Sequence, residues 1–110
     1  MSNAIAQPAG EWTQVDAKVR RRILSHTPEM MVVEVEFAPG GYGAPHSHPH
    51  LQATYVKSGS FDFTIAGEMR TIREGDSILV PSDAVHSCES AVGGGLIDVF
   101  TPAREDFLTP

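Results

Sequence analysis

The stretch Pro45-His46-Ser47-His48-Pro49-His50-Leu51-Gln52 contains three of the five histidines of the chain, with an amide side chain two positions further on. Side chains in an extended strand alternate between two faces, so His46 and His48 are expected to point the same way, as is Gln52 if the strand continues. Imidazole is the commonest protein ligand for divalent transition metals, and a His-x-His pair supplies two ligands at chelating distance. The stretch therefore predicts a metal site, with a solvated Pro-rich loop as the alternative.

Length, composition and charge indicate one ordinary globular domain. The chain has 110 residues, of which 41% are hydrophobic and 20% charged, and this is long enough for one apolar core. We expect a flexible lead-in over residues 1–10 and a single domain over residues 11–110. The net charge of −6, with no basic cluster larger than Arg20-Arg21-Arg22, argues against nucleic-acid binding.

The cysteine content and the hydropathy pattern bear on location. The single cysteine, Cys88, cannot form an internal disulfide, which is typical of a reducing compartment. No apolar run approaches the roughly 20 residues that a membrane helix needs, and the first ten residues lack a signal-peptide pattern. These features predict a cytoplasmic protein without a membrane partner.

Alternating apolar and polar residues predict short strands along most of the chain. Met30 to Phe37 is the clearest case, because Met31 and every second residue after it are apolar, while Glu34 and Glu36 face the other way. The predicted strands cover residues 18–24, 30–37, 53–57, 61–65, 69–73 and 77–80, a short segment from residue 86, and residues 96–100. A loop is predicted at residues 38–43 and a turn at 58–60. Many short strands separated by turns indicate an all-β sandwich or barrel.

Two segments near the ends of the chain add to this pattern. A short terminal helix is predicted over residues 103–108, with Thr101 as its cap and Pro102 at its first position. The arginines within residues 18–24 indicate a solvated strand face, with a basic stripe for a ligand as the alternative.

Two sets of residues resemble the motifs of the cupin family. The first set has the spacing Gly40, five residues, His46-Ser47-His48, three residues, Gln52, six residues, Gly59. The second set has the spacing Gly75, five residues, Pro81, then His86. The chain departs from the family pattern with Gln52 where most cupins carry glutamate, Asp83 where glycine is usual and Ser90 where asparagine is usual.

The resemblance implies a small cupin-type jelly-roll β-barrel that holds one metal ion through His46, His48, Gln52 and His86. Three neutral imidazoles and a neutral amide leave the charge of a divalent ion uncompensated, so the ion is a stronger Lewis acid than one bound by a carboxylate. Nickel, zinc, manganese, iron and cobalt are all compatible with this ligand set. His50 is the alternative to Gln52, because it is in phase with His46 and His48.

The C-terminal segment Asp98 to Leu108 is similar to the C-terminal signature of the KdgF-type cupins, pectin degradation proteins whose members linearise unsaturated uronates. In that family the residues that match Asp98 and Arg104 line the pocket beside the metal. Leu96, Asp98 and Phe100 share a strand face, so the acid is expected to be partly buried and to serve as an acid/base group.

Each of these C-terminal residues has a structural alternative. Asp98 could be a strand carboxylate that points at solvent, and Arg104 could form a surface ion pair with Glu105 or Asp106. Phe100 is expected either to form an apolar wall of the substrate site or to pack in the core.

The resemblance implies an isomerase-like enzyme of uronate catabolism, and a homodimer. Its substrate is expected to be a 4,5-unsaturated monouronate from pectin or alginate breakdown, which is opened and ketonised to a linear diketo acid. The metal would polarise a sugar oxygen, Asp98 would shuttle the proton, and Arg104 would bind the C6 carboxylate. A non-catalytic cupin that senses a sugar or small acid, and a metal-dependent oxygenase, are the alternatives.

Overall fold

The computed structural model describes residues 5–108, and within them nine strands form one strongly curled antiparallel sheet. The strands β1 to β9 cover Thr13–Asp16, Val19–Thr27, Met30–Phe37, Gly41–His46, Leu51–Ile65, Glu68–Arg73, Ser77–Val80, His86–Ser90 and Gly94–Thr101. The all-β prediction is confirmed, and β3 and β7 have the bounds that the sequence predicts. No helix in residues 5–108 has the length and apolar character to cross a membrane.

Strand β5 joins the two halves of this sheet. Its first part pairs with β7 and β9, and its second part pairs with β6 and β8. The strands β9, β3, β2 and β1 extend one half, and β4 follows β8 in the other. The predicted turn at residues 58–60 is wrong, because β5 continues through it. A bulge between Val56 and Ser58, followed by Gly59 with a φ of +82°, bends the strand instead. A Cβ on Gly59 would collide with the backbone oxygen of Gly93.

Two clusters of buried apolar residues fill the interior. The larger cluster comprises Val19, Phe37, Val56, Phe61, Phe63, Ile72 and Leu96. The smaller cluster comprises Met31, Val33, Phe100 and Ala103. Alternate residues of each strand supply these side chains, because the period of a strand is two. Members of both clusters border one cavity, which therefore lies between them.

Three further predictions of local structure are wrong. The histidine stretch is not one strand, because β4 ends at His46 and β5 begins at Leu51, and prolines 45 and 49 have no N–H to donate to a sheet ladder. Strand β4 already begins at Gly41, within the predicted loop. The terminal helix is only a 3-10 turn at Glu105–Phe107, since so short a segment cannot offset the cost of helix nucleation.

The predicted lead-in lies partly outside the described residues, namely at residues 1–4. In its second half the side-chain amide of Gln7 exchanges two hydrogen bonds with the backbone of His26, and the N–H of Gly10 donates to the carbonyl of Ile23 at 2.7 Å. The division into a lead-in and a single domain stays a prediction, as does the cytoplasmic location.

The outer face of β2 and β3 carries an ion-pair network. Arg20 pairs with Glu36, and Arg22 pairs with Glu34. The guanidinium carbons of both arginines lie over the ring of Trp12, at 4.0 and 4.5 Å from its centroid. On β2, Arg20 and Arg22 are therefore paired with glutamates and stacked on Trp12, while Arg21 points inward.

We predict that Glu34→Gln lowers the free energy of unfolding by about 1–2 kcal/mol, since a hydrogen bond to a charged group contributes about 1.5–3 kcal/mol and Lys57 is more than half exposed. Lys57 and Arg22 both donate to Glu34 and lower its pKa from the ordinary 4.5, although burial opposes them. This contribution is complete above pH 4.5 and is lost as the pH falls through the lowered pKa. Urea unfolding from pH 3 to pH 7 measures it. Glu36→Gln is the matched control, because the Arg20–Glu36 pair is more exposed; an equal loss in both variants at pH 7 would contradict the prediction.

Candidate metal centre and its cavity

Three histidines meet on the inner side of the curled sheet. His46 is the last residue of β4 and pairs in register with His86, the first residue of β8. His48 lies two residues beyond β4, in the segment that leads into β5. The ring nitrogens that they offer lie within 4.8 Å of one another. This cluster, called the histidine cluster below, brings the two motifs of the sequence together and can hold a metal ion.

A backbone carbonyl lies beside Nδ1 of each of the three rings, and the contacts of His46 and His86 are the shorter ones. Nδ1–H of His46 donates to the carbonyl of Ala44, and Nδ1–H of His86 donates to that of Ala84, each at 2.9 Å. In this tautomer Nε2 carries a lone pair. Nε2 of His86 is buried and has no hydrogen-bond partner within residues 5–108. A buried lone pair without a donor is unfavourable, and coordination to a cation satisfies it.

Nε2 of His48 faces the side-chain oxygen of Gln52. Nδ1 of His48 lies 3.2 Å from the carbonyl oxygen of His50, and the tautomer that donates to this carbonyl leaves a lone pair on Nε2. This Nε2 lies 3.0 Å from Oε1 of Gln52, whose amide nitrogen donates to the hydroxyl of Thr54 at 2.9 Å. In that tautomer two acceptors face each other, and a cation held by both compensates their repulsion. Burial lowers the pKa of His48, which favours the neutral imidazole that a metal ion needs as a ligand.

The two departures from the second cupin motif have structural roles. Asp83 has a φ of +64°, a conformation that glycine adopts freely and aspartate tolerates. Its backbone N–H donates to the carbonyl of His48 at 2.8 Å and so holds the segment that carries His48 in place. The hydroxyl of Ser90 donates to the carbonyl of Ser60 at 2.6 Å and accepts from the N–H of Gly93 at 2.9 Å.

His50 is turned away from the histidine cluster. Its Nε2–H donates to the carbonyl of Ala103 at 3.2 Å, and its ring packs edge-on against Phe100. The structure thus places Gln52 beside the lone pair of His48, while His50 supports the segment that precedes Arg104. This arrangement favours Gln52 over His50 as the fourth ligand.

Asp98 lies on the inner face of β9, opposite Thr54 of β5, and borders the cavity. Its Oδ1 accepts hydrogen bonds from the hydroxyl of Thr54 at 2.6 Å and from the amide of Gln52 at 3.5 Å. Burial raises the pKa of Asp98 to about 6, although the Thr54 hydrogen bond and the charge of Arg104 act in the opposite direction. Both of these hydrogen bonds go to Oδ1, and neither occupies the other carboxyl oxygen.

Arg104 forms the ion pair that the sequence allowed and also borders the cavity, while its binding of a substrate carboxylate stays a prediction. Its Nε and Nη2 donate to the two carboxylate oxygens of Asp106 at 3.0 and 2.9 Å. The residue also borders the cavity, and its guanidinium carbon lies 4.3 Å from the ring centroid of Phe107 and 5.1 Å from that of Phe100. Phe100 is 2% exposed, packs in the core and lines the cavity. Its role as a wall of a substrate site stays a prediction.

The cavity has a volume of about 210 Å³. Its polar border includes Arg21, His46, Gln52, His86, Asp98 and Arg104. Sequence reasoning missed Arg21 and Thr54. The alternation of β2 could have identified Arg21, because Arg20 and Arg22 on either side of it pair with glutamates on the outer face. Cys88 also lines the cavity, and burial raises the pKa of its thiol to about 12, so it remains a neutral thiol at pH 7.

The fold and this arrangement define a class of protein. Residues 33–95 match the cupin domain. The chain therefore belongs to the cupin family, and the cupin-type barrel that the sequence predicts is confirmed.

Individual relatives make the placement more specific. The chain is similar to the pectin degradation protein KdgF of Dickeya dadantii (strain 3937), with 38% identity over 99 residues that cover 88% of this chain and 90% of that protein. A solved RmlC-like cupin from Shewanella frigidimarina NCIMB 400 has a TM-score of 0.86 and 37% identity, over 89% of this chain and 88% of that one. The structure of KdgF from Halomonas sp. has a TM-score of 0.84 and 35% identity, over 88% and 92% of the two chains. The predicted resemblance to KdgF-type cupins is confirmed.

We predict that the chain binds one divalent metal ion and that His86→Ala abolishes this binding, because the variant lacks the buried Nε2. A ligand that binds only the folded state stabilises it by about 2.7 kcal/mol at 100 times its Kd, so nickel or zinc should raise the Tm of chelator-treated wild type but not of His86→Ala. Calorimetric titration and thermal unfolding measure these effects. His26→Ala, which changes an exposed histidine outside the cluster, is the control. Equal metal stoichiometry in the two variants would count against the site.

Proposed function

We propose that this protein is a metal-dependent enzyme that linearises 4,5-unsaturated monouronates from pectin or alginate breakdown. The observation that carries the proposal is that a buried carboxyl, a guanidinium and two members of the histidine cluster, His46 and His86, border one small cavity. A volume of about 210 Å³ lies below the roughly 300 Å³ at which pockets for drug-sized ligands begin, which suits a single sugar ring. The similarity to proteins named for pectin degradation supports the same substrate class.

The proposed metal ligands are His46, His48, Gln52 and His86. All four donors are neutral, Nε2 of His86 is buried without a hydrogen-bond partner in the described part of the chain, and Nε2 of His48 lies 3.0 Å from Oε1 of Gln52. A divalent transition metal, whether nickel, zinc, manganese, iron or cobalt, supplies Lewis acidity that polarises a sugar oxygen. Thr54 keeps the amide oxygen of Gln52 directed at His48 by accepting a hydrogen bond from the amide nitrogen.

The proposed reaction is an internal proton transfer. The C1–O5 bond breaks, the C1 hydroxyl loses its proton as C1 becomes an aldehyde, and C4 gains a proton as C5 becomes a ketone. Atoms and electrons balance without an oxidant, so one group that takes up and returns a proton suffices. Asp98 has this role through the oxygen that Thr54 and Gln52 do not occupy.

Orientation and exclusion of water are the roles of the remaining residues. Arg104 binds the C6 carboxylate through N–H groups outside its pair with Asp106. Phe100 forms the apolar wall beside the histidine cluster and limits the access of water to the reacting atoms. The centroid of its ring lies 5.7 Å from the ring centroid of His48.

The decisive test is an NMR time course of a 4,5-unsaturated galacturonate monomer with metal-loaded protein. We predict that wild type accelerates the loss of the unsaturated ring and that Asp98→Asn reduces the rate by about 10²–10⁴-fold, the usual contribution of a positioned acid or base. Asp62→Asn is the matched control, since this aspartate also accepts a hydrogen bond from a threonine hydroxyl but lies outside the cavity. Equal rates with wild type and without protein would refute the enzyme and leave a non-catalytic sugar-binding cupin; oxygen consumption would indicate an oxygenase.

We also propose that the protein forms a homodimer through the outer face of β3, β5, β7 and β9. Neighbouring positions on this face are apolar: Val32, Leu51, Ala53, Tyr55, Leu79, Ile97 and Val99. Leu79 and Tyr55 are 68% and 47% exposed. A patch that spans four strands can pair with the same patch on a second copy around a two-fold axis.

We predict that the double variant Tyr55→Glu, Leu79→Glu is a monomer under conditions in which wild type is a dimer, because charges on both copies would be brought together without partners. Light scattering during size-exclusion chromatography gives the masses. Met69→Glu, at a comparably exposed apolar residue on β6, is the control. A monomeric wild type at micromolar concentration would disprove the dimer.

A further inference from the structure

Arg21 is the member of the arginine-rich strand that points into the barrel. It pairs in register with Val35 of β3, which packs against the core from the inner face. Its neighbours Arg20 and Arg22 lie on the opposite face, where each is paired with a glutamate. Arg21 lines the same cavity as His46 and His86 of the histidine cluster.

The ring of Phe107 stacks against two guanidinium groups at the edge of this cavity. The guanidinium carbon of Arg21 lies 3.8 Å from the ring centroid of Phe107, and that of Arg104 lies 4.3 Å from the same centroid. Cation–π contacts of this length hold planar guanidinium groups in defined orientations. Both cations are thus positioned by Phe107 near one point of the cavity wall.

The hydrogen-bonding state of the two arginines differs. Asp106 occupies Nε and Nη2 of Arg104 with both of its oxygens, which compensates much of that charge. The hydrogen bonds formed within residues 5–108 include none from the guanidinium of Arg21. Burial lowers the pKa of Arg21, and the nearby Asp106 counteracts this, so the residue stays a cation with its planar donor edge unused.

We propose that Arg21 binds the carboxylate of the substrate and forms, together with Arg104 and on the platform of Phe107, a two-arginine carboxylate site in the cavity that His46 and His86 also border. This inference rests on the proposed function for the identity of the acid. The carboxylate of Asp106 is paired with Arg104, and a sugar carboxylate can neutralise the charge of Arg21. A neutral sugar of the same shape leaves the donor edge of Arg21 desolvated and unpaired, which makes the site selective for acids.

The test compares Arg21→Met with Arg20→Met in metal-loaded protein, on the unsaturated uronate and on its C6 methyl ester. Loss of a hydrogen-bonded ion pair weakens binding about 10–100-fold, so Arg21→Met should raise KM for the acid by that factor and leave KM for the ester within about threefold. Arg20→Met, one position away on the outer face, should resemble wild type. Arg21→Lys should restore part of the preference for the acid, because it keeps the charge without the planar fork.

The same contrast can be measured without turnover. Calorimetric binding of saturated galacturonate and its methyl ester separates this inference from the proposed reaction, since it requires no chemistry. Preference of wild type for the acid, lost in Arg21→Met, supports the carboxylate site even if no uronate is converted. Equal affinity of wild type for acid and ester, or an equal loss for both ligands in Arg21→Met and Arg21→Gln with unchanged Tm, overturns it.

Discussion

Nε2 of His48 lies 3.0 Å from Oε1 of Gln52, and the neighbouring residues fix the geometry of this contact. Thr54 accepts a hydrogen bond from the amide nitrogen of Gln52, which directs the amide oxygen at the histidine, and Asp98 in turn accepts a hydrogen bond from the hydroxyl of Thr54. The sheet therefore transmits one orientation from β9 through β5 to the histidine cluster. In the tautomer of His48 that leaves a lone pair on Nε2, this contact is unfavourable in the protein alone, so a cation bound here would also stabilise the fold.

Local patterns predicted the strands whose two faces have different environments. Met30–Phe37 and Ser77–Val80 alternate between core and surface, and their bounds are read directly from the chain. Strand β5 was divided in error, because Ser58 and Gly59 have the composition of a turn. Their backbone partners in β9 lie more than thirty residues away, and such pairing leaves no signal in a local window. The prediction of a terminal helix is wrong because the segment is too short to form one, although the sequence offers a cap residue.

The candidate site was predicted from motif spacing, although the geometry assumed for it was wrong. His46 and His48 converge because a proline-interrupted segment folds back, and not because they alternate along one strand. Thr54 was missed since its role depends on the register between β5 and β9. Arg21 was treated together with its neighbours as one basic stretch, whereas alternation assigns it to the opposite face. Side chains that act through contacts between distant strands are the ones that a single sequence leaves undetermined.

Because β5 belongs to both halves of the sheet, it also determines how the protein unfolds. One end of this strand carries Gln52 and Thr54, and the other supplies Phe61 and Phe63 to the larger apolar cluster. When β5 detaches, both halves lose their central hydrogen-bond ladder at once, so they unfold as one cooperative unit. We therefore expect Gln52 and Thr54 to lose their positions together with the larger apolar cluster. A substitution that weakens this cluster would then lower the fraction of folded molecules more than it distorts the site in each of them.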